Sequence, residues 1–150
     1  MDDVDRRILD HLVREGRAGY AHIGDAIGLS APAVKRRVDR LVADGVIKGF
    51  TAVVDAGHLG WTVEAYVEVH CTGNISPDEL RRAFSAVPEI HAAATVSGKA
   101  DAFVHLMARD VRDLERALER IRVEVANVDH TDTAIVLSRL IERHVVRGTA

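Results

Sequence analysis

"IGLSAPAVKRRVDRLVADGVIKGF", residues 27–50, decides how the chain is read. Gly28 breaks whatever precedes it, Ser30 is placed to cap a helix, and Pro32 falls in that helix's first turn, where its missing N–H costs nothing. Val34, Val38 and Leu41 then recur at helical spacing as far as Ala43. On a wheel of about 100° per residue these three share one side. Pro32, Lys35, Arg36, Asp39 and Arg40 take the opposite arc, and Arg37 lies at the border. The predicted helix buries valine and leucine and shows a basic face.

That face is at odds with the chain's formal net charge of −3. Between Ser30 and Lys48 stand five basic side chains (Lys35, Arg36, Arg37, Arg40, Lys48) against two acidic ones (Asp39, Asp44). Residues 1–50 carry a net +1 and residues 51–150 a net −4, so the positive charge is local. The partner it selects should be local too.

Upstream, Val4, Ile8, Leu9, Leu12 and Val13 predict a helix over about 3–15, capped by Asp2 or Asp3 and stopped by Gly16 in a left-handed conformation. A short helix over about 20–27 follows, with Gly24 inside it at a cost of roughly 1 kcal/mol against Ala, a residue that also allows close helix packing. Two helices joined by a tight Gly-containing turn make a helix-turn-helix, whose second helix enters the DNA major groove by its exposed N-terminal side. Pro32, Lys35 and Arg36 are placed for base edges. Arg37 and Arg40 suit phosphates, and the first turn after Ser30 offers free N–H groups to another. Apolar, β-branched residues from Val46 to Val54 predict an extended segment leaving the unit.

The second half changes period. TVEAYVEVH (62–70) alternates Val63, Ala65, Val67 and Val69 with Glu64, Tyr66, Glu68 and His70, as a strand with one apolar face does. SPDE (76–79) is a capping box opening a helix with Leu80, Ala83, Phe84 and Val87, which Pro88 ends. Strands follow over 91–97 and 102–108, joined by the turn GKAD (98–101). Asp110 caps a helix carrying Leu114, Leu118, Ile121 and Val125, and a last strand spans about 131–141. Strand–helix–strand twice over is the ferredoxin-like βαββαβ pattern. Its sheet leaves one face bare, either the valine row or its polar opposite, and a bare face calls for a partner, at least a homodimer. The fold class is therefore α+β: a helix-turn-helix over 1–50, a linker strand or hinge over 51–61, and a ferredoxin-like domain over 62–150.

DRRILDHLVREGR (5–17), GLSAPAVKRRVDRLVADGVIKGF (28–50) and VSGKADAFVHL (96–106) resemble the Lrp/AsnC, or feast/famine, family of regulators across nearly the whole chain. The resemblance implies a winged or plain helix-turn-helix and a ligand-sensing domain that dimerises through its sheet and assembles further, commonly to octamers. It also implies an amino-acid effector, or a related metabolite, held at the turn Ser97-Gly98-Lys99-Ala100-Asp101 with Thr133 nearby. The chemistry suits this: Gly98 lets backbone N–H groups approach a carboxylate, and Asp101 can accept from an ammonium. Ala100 and Ala102 stand where family members often carry aromatic residues.

The expectation is thus a sequence-specific transcriptional regulator on pseudo-palindromic double-stranded DNA, with Ser30, Pro32, Lys35, Arg36, Arg37 and Arg40 as its DNA-binding residues. An architectural, effector-independent nucleoid protein is the alternative, to which the two alanines point. Lone Cys71, an acidic N-terminus and no long apolar run predict a cytoplasmic, nucleoid-associated protein without a membrane span. No catalytic constellation and no phosphate-binding Gly loop appears. The eight histidines show no zinc-motif spacing, so no metal and no other cofactor are expected, although His70 and His105 sit on strands that could bring them together.

Overall fold

In the computed structural model, which describes residues 1–141, the chain forms two units, Met1–Val53 and Val54–Ile141. The first begins with α1 (Asp3–Arg14). Asp2 Oδ1 accepts from the Asp5 N–H at 2.8 Å and Asp5 Oδ2 accepts from the Asp2 N–H at 3.0 Å, a reciprocal cap. Ile8 and Leu12 turn inward. The expected left-handed stop at Gly16 does not form: α1 ends at Glu15, whose N–H still reaches the His11 carbonyl at 2.9 Å, and Gly16 is absent from the positive-φ residues.

Next come α2 (Tyr20–Ile27) and α3 (Ala31–Ala43). Between them Gly28 takes φ 77°, the left-handed conformation that favours glycine. Gly24 has a different reason to be glycine. A Cβ there would lie 2.3 Å from the Leu29 carbonyl oxygen, so the turn closes directly onto the α2 backbone. Ser30 has the extended backbone of an N-cap, but its side chain makes no capping hydrogen bond. Val34, Val38 and Leu41 are buried, as the wheel requires, and Val34 and Val38 pack with Ile8, Leu12 and Ile23. Burying a Val or Leu side chain stabilises by roughly 1.5–3 kcal/mol, which holds three short helices together that would not persist alone.

Helix α3 ends in a Schellman motif. Gly45 (φ 70°) donates to the Val42 carbonyl and Val46 to that of Leu41, both near 3 Å. Residues 46–54, expected to be extended, pair with no strand among the described residues, so no wing is built; Phe50, Val53 and Val54 are exposed.

The second unit contains β1 (Val63–Cys71), α4 (Pro77–Ser85), β2 (Ile90–Thr95), β3 (Ala102–Ala108), α5 (Val111–Glu124) and β4 (Val128–Ile135). The sheet order is β2-β3-β1-β4 with antiparallel neighbours, the split βαβ topology expected. Ser76 accepts from the Glu79 N–H while the Glu79 carboxylate accepts from the Ser76 N–H at 2.8 Å, opening α4; Asp110 opens α5 by accepting from Asp113 at 2.7 Å. Leu80 and Phe84 of α4, and Leu114, Ala117 and Ile121 of α5, cover Ala65, Val67, Val69, Val104 and Leu106.

The last strand lies earlier than expected. It starts at Val128, past a register irregularity opposite His70 and Cys71. Its pairing with β1 runs as far as Ile135, opposite Ala65, and the Val136 N–H still reaches the Glu64 carbonyl at 2.8 Å. No helix among the described residues is long and apolar enough to cross a membrane.

Candidate DNA-binding and effector sites

The basic face of α3 divides into two groups. Arg37, at the border of the wheel, donates to Asp2 Oδ2 at 2.7 Å and to Asp5 Oδ1 at 2.8 Å. Arg40 Nη2 reaches both Asp5 oxygens, at 2.8 and 3.1 Å. Asp5 itself is fully buried. The Asp2 N–H bond, then the two guanidinium groups, overcome the cost of burial and hold its carboxyl at about 2. Lys35 pairs with Asp39 at 2.6 Å, one turn along the exposed surface. Arg36 is exposed and, like Lys48, forms no ion pair among the described residues. Pro32 and Ser30 are exposed beside it. Arg36 is therefore a cation on this face that no ion pair among the described residues neutralises, and Lys35 is held only by a solvent-screened partner.

The turn after β2 carries the residues predicted for an effector. Gly98 has φ 148°, a conformation L side chains rarely adopt. Ser97, Gly98 and Lys99 are exposed and Ala100 is buried. Asp101 is half-buried and fixed at two points: its N–H donates to the Val69 carbonyl at 2.9 Å, and its Oδ2 accepts from the Cys71 N–H at 2.7 Å. Oδ1 has no hydrogen-bond partner among the described residues. Burial, then the nearby Asp101, pushes the Cys71 thiol up, so it stays a protonated, weak nucleophile. Thr133 stands on β4 opposite Val67, four residues along β1 from Cys71. Thr133 thus lies on one side of β1, and the turn leads into β3 on the other.

The helices take the valine row, so the bare face is the polar one: Glu64, Tyr66, Glu68 and His70 on β1, Phe103 and His105 on β3, His130 and Asp132 on β4. The register opposes His105 to Tyr66, with stacked rings 4.7 Å apart, and His70 to His130, stacked at 4.1 Å. His70 and His105 are accordingly two separate sites, against the expectation that they could meet. Glu64 accepts from His105 and Arg139, each at 2.6 Å. Burial pushes its carboxyl up, and those two partners more than reverse the shift. Sequence reasoning also missed an open groove of about 510 Å³ between α4 and β2, lined by Leu80, Arg81, Phe84 and Ala94. Its signal, a run of three alanines on an edge strand, is visible only once the strand order is known.

A three-helix unit whose second motif helix exposes Arg36, joined in one chain to a split βαβ domain with a glycine turn, fits a helix-turn-helix transcriptional regulator with a ligand-binding domain. Residues 1–42 match the AsnC-type helix-turn-helix domain and residues 64–146 the Lrp/AsnC ligand binding domain. The chain belongs to the Lrp/AsnC family. It is 54% identical to the HTH-type transcriptional regulator Rv2324 of Mycobacterium tuberculosis, over 95% of this chain and 96% of that one. With LrpA of the same organism it shares 30% identity, over 91% and 90%. Among solved structures, the feast or famine regulatory protein Rv3291c from M. tuberculosis, complexed with L-methionine, superposes with a TM-score of 0.88 at 29% identity, over 97% of both chains. Escherichia coli AsnC shares the fold, with a TM-score of 0.87 at 24% identity over 97% of both chains.

Proposed function

We propose that the protein reads a pseudo-palindromic operator through α3 and that its sheet domain forms homodimers, assembling further to octamers, and takes an amino acid at residues 97–101. Arg36 carries the first part of this reading. It is an exposed guanidinium on the second helix of the motif, without an ion pair among the described residues. Arg donates bidentately to guanine O6 and N7, whereas Lys35 can release Asp39 to do the same. Pro32 and Ser30 stand at the end that approaches the bases. Arg37 and Arg40 keep charge for phosphates while anchored to Asp5, which fixes where they can contact the backbone. A dimer presents two such helices, hence the two half-sites.

For the effector, support comes from the Gly98 conformation and the free Asp101 Oδ1, which together offer an ammonium acceptor beside accessible backbone. The methionine bound by the M. tuberculosis relative shows the ligand class that this domain accommodates elsewhere in the family. We take the protein to act without catalysis, in the cytoplasm on the nucleoid.

Testing uses the full chain. A thermal-shift screen of the twenty amino acids, with light scattering on each hit, should give a stabilising ligand that also changes assembly, because a ligand bound only by the native state raises its melting temperature. The hit should vanish in Asp101→Ala. A chain with no hit and constant assembly, still binding DNA, would remove the effector part of the proposal and leave an architectural DNA organiser.

A further inference from the structure

We infer that Glu68 and His70 on β1, together with His130 and Asp132 on β4, form a binding site for a divalent transition-metal ion of the zinc class. The register opposes His70 to His130 and Glu68 to Asp132. Since strand side chains alternate, and Val67 and Val69 between them point into the core, all four donors share the bare face as a two-by-two cluster.

The separations suit ligands around an ion better than partners in hydrogen bonds. His70 Nε2 lies 3.5 Å from Glu68 Oε2 and 3.7 Å from Asp132 Oδ2, and His130 Nε2 lies 3.8 Å from Asp132 Oδ2. Two ligands held tetrahedrally at about 2.1 Å from zinc are about 3.4 Å apart. The donor atoms of His70, His130 and Asp132 all lie within 4.8 Å of one another. His70 Nε2 is shielded from solvent and makes no hydrogen bond among the described residues. A shielded ring nitrogen without a hydrogen bond is costly unless something occupies it.

Two further features agree. His130 Nδ1 lies 2.8 Å from Asp129 Oδ2, the carboxylate contact that fixes a metal-binding histidine with its Nε2 lone pair outward. Glu68 and Asp132 are two carboxylates placed directly opposite, an arrangement that repels unless a cation lies between them. The two imidazole rings are parallel within 8°, so their lone pairs run side by side. His130, half exposed, can tilt to make them converge on an ion. Two imidazoles favour zinc, cobalt, nickel or copper over magnesium or calcium. Separate segments supply the donors, so no sequence spacing announced them.

The experiment titrates the chelator-stripped full chain with Co²⁺ alone, follows its visible absorption, and then displaces it with Zn²⁺. One equivalent should bind. His130→Ala and Asp132→Ala should each weaken binding at least ~10-fold, and Asp129→Asn by roughly 10-fold, the usual effect of losing a ligand's carboxylate support. His130 and Asp132 lie outside the hydrophobic core, so each variant should still fold; because the same face is proposed to pair two copies, light scattering without metal should show the assembly of the unaltered chain. His58→Ala, on an exposed histidine elsewhere, should bind like the unaltered chain. Absence of any cobalt spectrum, or equal affinity in His130→Ala and Asp132→Ala, overturns the site.

Discussion

Arg40 Nη2 of α3 grips both oxygens of the Asp5 carboxylate of α1, at 2.8 and 3.1 Å, and that carboxylate is fully buried. The contact spans 35 residues of sequence and sets how α3 leans on α1. Breaking a buried ion pair from one side typically costs 3–5 kcal/mol; Arg40 is half in solvent, so Asp5→Ala should cost less, about 2–3 kcal/mol. Urea unfolding followed by circular dichroism measures it. Operator affinity should fall as well, although Asp5 touches no DNA.

The same carboxyl gives an acid limb to stability. Folding lowers the Asp5 value from 3.8 to about 2, chiefly through the Asp2 N–H bond, with burial opposing and Arg37 and Arg40 assisting. The contribution is present above the higher value and is lost as pH falls from about 4 through about 2. Asp113 follows the same sign, held low mainly by its bonds to Arg109 and also by Arg116. Unfolding free energies between about pH 5 and about pH 2 should therefore drop less steeply in Asp5→Asn than in the unaltered chain. Equal slopes would separate Asp5 from the acid response.

Arg36→Ala should cut specific operator affinity by about 10-fold or more, the worth of one bidentate base contact, with melting temperature unchanged. Arg40→Ala should lower both stability and DNA affinity, and flatten the salt dependence by about one phosphate contact. Fluorescence anisotropy at several salt concentrations distinguishes the two. If Arg36→Ala bound the operator normally, α3 would not be reading bases through that residue.

Gly24→Ala is the change that the first unit should tolerate least. Its methyl group would meet the Leu29 carbonyl at 2.3 Å, and a backbone atom cannot swing aside. A loss of about 2–4 kcal/mol is expected, in the range of severe overpacking. Gly16→Ala makes a good control, because its Cβ would sit at an ordinary 3.8 Å from the nearest atom. Comparable melting of the two variants would contradict the close approach.

Gly98→Ala tests the turn after β2. At φ 148° an L residue is strained by about 1–3 kcal/mol, so the turn should relax or the domain soften. Amide exchange at Cys71 and Asp101, the two N–H groups that tie the turn to β1, should speed up while exchange in α5 stays slow.

Much of this was legible in the chain. The stripe Val34, Val38, Leu41 and the box Ser76–Glu79 are local signals, and local signals survive without tertiary knowledge. The Arg37 and Arg40 contacts were not legible: a helical wheel places both at or near solvent and cannot see a carboxylate 32 to 35 positions earlier. The register of β4 is set by β1 beside it, and the bare face by which side the helices cover. Both are properties of partners. Gly24 reads in the sequence as a helix cost that permits close packing; that the close approach is to the Leu29 carbonyl is visible only in the fold.

Strand β1 sends Val67 and Val69 into the core, shows Glu68 and His70 outward, and through the Val69 carbonyl and the Cys71 N–H clamps Asp101. A slip of one residue would turn its apolar row out into water and, in the same stroke, unfasten the 97–101 turn. Correct threading of β1 and an intact 97–101 turn are therefore one event: a wrongly paired molecule cannot hold that turn in place.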